Sequence, residues 1–362
     1  MTMSVPTTLQ PLLEAFESRR PAALARAVSI VENRRVHADR LLAALHPRIG
    51  RARRLGITGP PGAGKSTLTM QLVRACRARG LRVAVVAVDP SSPFTGGALL
   101  GDRVRMEAVA LDPDVFIRSM ATRGSLGGLA AATRDVCDVL DAYGFDRILI
   151  ETVGVGQSEL DIARTADTST VVLVPESGDS IQTLKAGLME IADVFVVNKA
   201  DRPGADRLAV EIELMLGLRA GGAAPAPGHH GVKLRAANPV RHARTLAGDP
   251  SAAQWTPPVL KTVGHEGQGV EALLDALDAH FEYLDRAGEL RARRRARLSE
   301  RVRDAVAQRL RTRFWGDAST HAFVAERLDG LESGHLTPFG VADDLLRHCR
   351  DLLTQPDHDI LL

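Results

Sequence analysis

Cysteine and lysine are both scarce in this chain of 362 residues, and long apolar runs are missing. Cys76, Cys137 and Cys349 lie far apart, with neither metal-ligand nor disulfide spacing, which fits a reducing, cytoplasmic compartment. The opening residues Met1-Thr2-Met3-Ser4-Val5-Pro6 lack the basic and apolar regions of a secretory leader. Elsewhere no run reaches the ~20 apolar residues that a membrane helix needs. A strong excess of one charge is absent too. The 46 basic and 44 acidic residues leave a formal net charge of +2, which argues against nucleic acid or a membrane surface as the main partner. Only five of the basic residues are lysines: Lys65, Lys185, Lys199, Lys233 and Lys261. Three of these fall in segments read below as nucleotide or switch chemistry, where a compact ammonium differs from a guanidinium.

With 45% hydrophobic residues, the chain is long enough for one large α/β domain with helical additions. Residues 8–48 carry apolar positions at helical spacing (Leu9, Leu12, Leu13 and Phe16; Ala27, Ile30 and Val31; Leu41, Leu42 and Leu45) and are expected to be helices. Short apolar runs then alternate with helical stretches: Leu55–Thr58, Val83–Val88, Val115–Ile117, Ile148–Ile150, Val171–Val174, Val194–Val197 and Val259–Val263. That alternation predicts a doubly wound, mostly parallel sheet. The expected division is a helical extension over 1–50, a sheet domain over 51–284 and a helical region over 285–362.

Gly59-Pro60-Pro61-Gly62-Ala63-Gly64-Lys65-Ser66, followed by Thr67, reads G-x-x-x-x-G-K-[ST] between a strand and a helix. The glycines let successive backbone N–H groups turn inward around phosphates at a helix N-terminus. Lys65 then supplies a point charge to the outer phosphates, and the Ser66 hydroxyl can ligate Mg²⁺. Asn198-Lys199-Ala200-Asp201 follows a strand further on and matches N-K-x-D. A carboxylate at Asp201 can accept from both the ring N–H and the exocyclic amine of guanine, a pair that adenine does not present. Asn198 can meet the acceptor edge of the base, and the Lys199 stem can cover its face. GTP is therefore expected over ATP.

Glu151-Thr152-Val153-Gly154 occupies the place of the usual D-x-x-G. Glu151 would hold Mg²⁺ directly or through water, and the Gly154 N–H would meet the γ-phosphate. Asp89 and Asp102 are further carboxylates for the metal, although Asp89-Pro90-Ser91-Ser92 could instead cap a helix. Arg103 or Arg105 could stabilise charge in the transition state, or form an ordinary ion pair. The stretch 219–231 is rich in Gly, Pro and Ala and reads as a surface loop, with His229-His230 a solvated pair rather than a metal site. Leu298, Val302, Val306, Leu310 and Phe314 form a stripe on one helix face that must bury against the sheet domain, another helix or a second subunit. The Arg291–Arg303 run lacks interleaved aromatics and reads as a solvated face, not a nucleic-acid site.

Taken together, Gly59–Thr67, Val88–Ser92, Thr95-Gly96-Gly97, Gly101-Asp102, Arg105-Met106, Glu151–Glu159 and Asn198–Asp201 resemble the methylmalonyl-CoA mutase-associated GTPases, the MeaB/ArgK family. Pro21–Val28 looks like part of that family's N-terminal extension and Leu336-Thr337-Pro338 like its C-terminal dimerisation arm. The resemblance implies a homodimeric P-loop GTPase that binds GTP/GDP with Mg²⁺. It also implies a chaperone role: gating adenosylcobalamin delivery to an acyl-CoA mutase and protecting the holoenzyme, with the mutase, and its adenosyltransferase, as partners. By the same match Asp179, Gln182 and Lys185 would couple nucleotide state to the mutase surface. The chain departs from the family pattern at Glu176–Lys185, so the resemblance does not fix which mutase is the partner. Val263-Gly264 stands where the family has a base-contacting Ser-Ala pair. A related alternative is a metal-insertion GTPase of the nickel or zinc chaperone class, which normally carries Cys-x-Cys or His-rich clusters that this chain lacks. A P-loop kinase is a further alternative, and Asn198–Asp201 weighs against it.

Overall fold

The computed structural model describes residues 6–89, 109, 111–121, 128–152, 158–175, 188–219 and 255–348. They divide into two compact units, Met1–Arg291 and Ala292–Leu362.

The first unit is built on seven strands: β1 (Arg53–Thr58), β2 (Val83–Asp89), β3 (Val115–Ala121), β4 (Arg147–Thr152), β5 (Thr168–Leu173), β6 (Val194–Asn198) and β7 (Val259–Thr262). Their order across the sheet is β3-β2-β4-β1-β5-β6-β7, and every pairing is parallel. The sequence predicted a mostly parallel sheet; among the described residues it is wholly so. Each expected strand is present, and β3, β4 and β5 extend beyond their apolar centres into polar residues. The order reverses at β1, which lies between β4 and β5. A doubly wound sheet opens a ligand crevice at the carboxyl end of such a strand.

Because both faces are covered, the strands are apolar nearly throughout. Side chains alternate between faces. Ala84, Val86 and Val88 of β2 and Ile148 and Ile150 of β4 join a core with the helices α1 (Gln10–Glu17), α2 (Pro21–Glu32), α3 (Ala38–Leu45) and α5 (Gly128–Tyr143). Leu55, Ile57, Val83, Val85 and Leu149 face the other way, onto α4 (Lys65–Ala78) and α8 (Val270–Arg286). Helix α6 (Ser158–Thr165) and helix α7 (Ala205–Arg219) complete the layers, with Ala205, Leu208 and Ile212 of α7 packing on Val171, Phe195 and Val197.

Two buried polar clusters fasten the edge of the sheet opposite the crevice. The Asp141 carboxylate on α5 accepts from the backbone N–H groups of Gly50, Arg51 and Ala52 at 2.7, 3.0 and 3.0 Å. Arg54 reaches Asp138 at 2.7 Å and Asp141 at 3.4 Å. Burial alone would lower the pKa of the Arg54 guanidinium, but Asp138 foremost, with Asp141, outweighs this and holds it raised. The second cluster runs from Asp193 through His280 to Thr168. The His280 Nε2 lies 3.3 Å from Asp193 Oδ1, and its Nδ1 lies 2.9 Å from Thr168 Oγ1. This is a hydroxyl–imidazole–carboxylate relay in form, but Thr168 and His280 are both 0% exposed, so it serves packing rather than catalysis. The Trp255 ring lies 4.8 Å from that of His280, and its indole N–H donates to the Asp193 carbonyl at 2.8 Å.

Helix α9 (Glu289–Trp315) runs across the division between the two units. In the second unit, α10 (Ala318–Ala325), α11 (Leu328–Glu332) and α12 (Pro338–His348) gather around Phe323, Val341 and Leu345. The Asp317 side chain caps α10 by accepting from Ser319 N at 2.8 Å. Leu298, Val302, Val306 and Leu310 of the predicted stripe are 43, 63, 51 and 41% exposed, while Phe314 packs against the small core.

Candidate nucleotide site

Leaving β1 at Thr58, the chain turns through Gly59–Gly64 and enters α4 at Lys65. Two glycines make this turn possible. At Gly59 (φ +138°) a Cβ would lie 2.0 Å from the Val172 carbonyl oxygen on β5, so the loop can leave the sheet only without a side chain there. Gly64 is the N-cap of α4 in the left-handed region (φ +83°). The N-terminus of a 14-residue helix is thereby aimed across the loop, with its first-turn N–H groups and positive dipole end. Lys65 is buried, and its Nζ donates to the carbonyls of Gly59 at 2.7 Å and Pro60 at 3.0 Å. Amides, ammonium and helix end together make an anion cradle suited to phosphates.

The metal-side residues come from the neighbouring strand. Ile57 of β1 and Ala87 of β2 both stand in register with Glu151 of β4. The Ser66 hydroxyl donates to Glu151 Oε1 at 2.5 Å. A hydroxyl and a carboxylate in one another's reach, beside the phosphate cradle, are hard oxygen donors of the kind Mg²⁺ takes together with phosphate oxygens and water. The residues present therefore fit the ion. The Asp89 backbone ends β2 in register with Ala121 of β3. Its side chain, and Asp102, Arg103, Arg105 and Gly154, lie outside the described residues, as do Asp179, Gln182 and Lys185.

Asn198 ends β6, in register with Thr262 of β7. Its carboxamide is 2% exposed and braces three segments. Nδ2 donates to the Ala63 carbonyl of the phosphate loop at 2.8 Å, while Oδ1 accepts from Thr262 Oγ1 and Gly264 N, both at 3.0 Å. Beyond the base contact expected of Asn198, the structure shows this brace between the phosphate loop and the β7–α8 turn. Lys199 follows in the left-handed region (φ +55°), and the Ala200 N–H returns to the Thr262 carbonyl at 3.0 Å. Asp201 is exposed just beyond. Val263 pairs with Gln268 through an isolated bridge, shaping the turn that carries Gly264. Thus Gly59–Thr67, Glu151, Asn198–Asp201 and Val263-Gly264 all gather at one edge of the sheet. Among the described residues, no group of three His, Cys, Asp or Glu converges as a further metal site.

The sheet with a phosphate loop at its reversal strand defines the chain as a P-loop nucleotide-binding protein. Residues 24–319 match the family described as "Methylmalonyl Co-A mutase-associated GTPase MeaB", and the chain belongs to that family of GTP-hydrolysing proteins. A candidate GTPase of Pyrococcus abyssi is 44% identical over 94% of this chain and 96% of its own length. The "Methylmalonic aciduria type A homolog, mitochondrial" of mouse is 31% identical over 90% of this chain and 76% of its own. The crystal structure of a protein described as "LAO/AO transport system kinase" aligns with a TM-score of 0.61 and 25% identity, over 96% of this chain and 99% of that one.

Proposed function

We propose that this GTPase is a nucleotide-driven chaperone of an adenosylcobalamin-dependent acyl-CoA mutase, gating entry of the cofactor and protecting the loaded enzyme. The observation that carries this reading is the family match over residues 24–319, whose description couples the GTPase to methylmalonyl-CoA mutase. The name of the mouse relative points toward the same metabolism. In this reading Gly59–Thr67 hold the triphosphate, Ser66 and Glu151 hold Mg²⁺ with Asp89 and Asp102, and Asn198, Lys199 and Asp201 select guanine with the Val263-Gly264 turn. Arg105 and Gly154 act at the γ-phosphate, and Asp179, Gln182 and Lys185 report nucleotide state to the mutase, with the adenosyltransferase as a further partner. Hydrolysis needs little covalent help from the protein: in-line positioning and charge stabilisation supply most of the barrier reduction.

The exposed stripe Leu298–Leu310 is where two copies would join as a homodimer. A cytoplasmic location belongs to the same reading, and the spacing of Cys76, Cys137 and Cys349, far apart in sequence, is in keeping with it. The test is to mix the purified protein with the adenosylcobalamin-dependent mutase of the same cell and measure both complex formation and GTP turnover. A stable complex with a turnover rate changed by at least about tenfold is expected, well inside the ~10³–10⁵-fold that a partner's arginine can supply to a GTPase. No complex and an unchanged rate, with either GTP or GDP present, refute the chaperone role while leaving the GTPase assignment intact.

A further inference from the structure

Glu151 and Thr152 are consecutive residues on β4, so their side chains leave opposite faces of the sheet. Glu151 shares its face with Leu149 and meets Ser66 of α4. Thr152 shares its face with Ile148 and Ile150, and there its hydroxyl donates to Thr58 Oγ1 at 3.0 Å. Thr58 and Thr152 are 0% and 2% exposed, so water does not compete for this bond. Thr58 is the last residue of β1, directly before the phosphate loop, and Thr152 is the last of β4, inside the Glu151–Gly154 motif. Two polar links at the same level of the sheet therefore tie β1 and the start of α4 to β4, one on each face.

The two links differ in kind. The Ser66–Glu151 link joins groups that a metal ion would take over as ligands. The Thr58–Thr152 link joins hydroxyls that nothing in the proposed chemistry uses, and a pair of valines would fill the same volume without a buried polar atom. Backbone pairing alone fixes the height of Glu151 along β1 through its register with Ile57. On the β1 side that ladder ends at Glu151, whereas on the other side β2 pairs on through Val88 with Thr152, so backbone bonds hold the last residue of β4 from one side only. A hydroxyl bond on the far face, one residue further along, resists a roll of that strand end about its long axis and so sets the direction in which the Glu151 carboxylate points.

We infer that Thr152 is a positioning residue: its buried bond to Thr58 aims Glu151 at Ser66 and thereby sets the magnesium requirement of hydrolysis. This rests on the reading of Ser66 and Glu151 as magnesium ligands. The test measures single-turnover GTP hydrolysis against Mg²⁺ concentration for the full chain, together with GDP affinity in chelator. Thr152→Val should raise the Mg²⁺ concentration for half-maximal hydrolysis by about threefold to tenfold, the fold-change equivalent of losing one buried hydrogen bond. GDP affinity without metal should stay within about twofold, and Thr152→Ser, which keeps the hydroxyl, should return the Mg²⁺ requirement to that of the unaltered protein. Thr58→Val removes the same bond from its other end and carries the same expectation should Thr152→Val fail to fold. In the double variant Thr58→Val/Thr152→Val, apolar groups of like shape replace both partners, so the melting temperature should recover while the Mg²⁺ requirement stays raised. An unshifted requirement in Thr152→Val, or its full recovery in the double variant, overturns the positioning role, provided Ser66→Ala shifts the requirement. If Ser66→Ala leaves it unshifted, the magnesium reading beneath the inference is what has failed.

Discussion

Replacing Asn198 by Ala should destabilise the nucleotide-free protein far more than loss of a base contact would explain. The side chain closes three hydrogen bonds, to Ala63 O at 2.8 Å and from Thr262 Oγ1 and Gly264 N at 3.0 Å each. Truncation at Cβ removes all three from a place where the residue is 2% exposed. At about 1 kcal/mol net per bond the loss is about 3 kcal/mol. Water entering the gap would reduce that figure, whereas a partner left dry would raise it. For the unit Met1–Arg291, at about 2.1 cal/mol/K of unfolding entropy per residue, the melting temperature should fall by about 5 °C. Thermal unfolding followed by circular dichroism, without nucleotide or magnesium, is the appropriate assay, because ligand binding adds stability of its own by mass action. Asn198→Asp should fall between: a carboxylate still accepts from Thr262 and Gly264 but repels the Ala63 carbonyl. A drop below about 2 °C for Asn198→Ala would show that the brace carries no load and that the three bonds are incidental to the fold.

Three further outcomes are expected. Gly59→Ala should fail to accumulate as folded protein, since its Cβ would meet the Val172 carbonyl at 2.0 Å, whereas Gly62→Ala, with nothing within 4 Å of its Cβ and only its φ of +76° to strain it, should fold at a cost of about 1 kcal/mol; soluble yield and urea midpoints compare them. Asp141→Asn should lower stability by about 2–4 kcal/mol in urea unfolding, because the buried carboxylate that accepts from Gly50, Arg51 and Ala52 also neutralises Arg54. Burial pushes the Cys76 thiol up from 9.0 to about 11. A raised pKa means the folded state keeps its proton while the unfolded thiol ionises, so this contribution is intact below pH 9 and is lost as pH climbs toward 11. The urea midpoint should therefore fall across that window, by an equivalent of up to about 3 kcal/mol, and fall less in Cys76→Ala. Equal slopes for the two proteins would dispose of the assignment.

The glycines and Lys65 of the phosphate loop, and the placement of Asn198–Asp201 after a strand, were legible in the sequence because each depends on residues a few positions apart. Strand centres were legible for the same reason. The first half of β5, Thr168-Ser169-Thr170, was not, because an apolar-run criterion passes over it. These residues are buried all the same, since β-branched threonines suit a strand and Asp193 and His280 supply polar partners to Ser169 N and Thr168 Oγ1. The long-range polar links were invisible. Asn198 meets Ala63 across 135 positions, and Thr152 meets Thr58 across 94. No local pattern announces such a pair, because burial becomes known only once the layers are assembled. The N-K-x-D motif supplied a guanine role for Asn198, but the brace it makes to the phosphate loop came from the structure.

The three amino-terminal helices have one consequence for how this protein can be cut. Leu24, Ala27, Val28 and Val31 of α2 share a single apolar interior with α5, β2 and β4. Phe16 of α1 meets the Tyr143 ring edge-on at 5.0 Å. A fragment starting at the phosphate-binding strand would carry every nucleotide motif yet leave one side of its sheet partly unroofed. Such a fragment should clump rather than hydrolyse GTP, so the minimal active piece is longer than the motifs alone suggest.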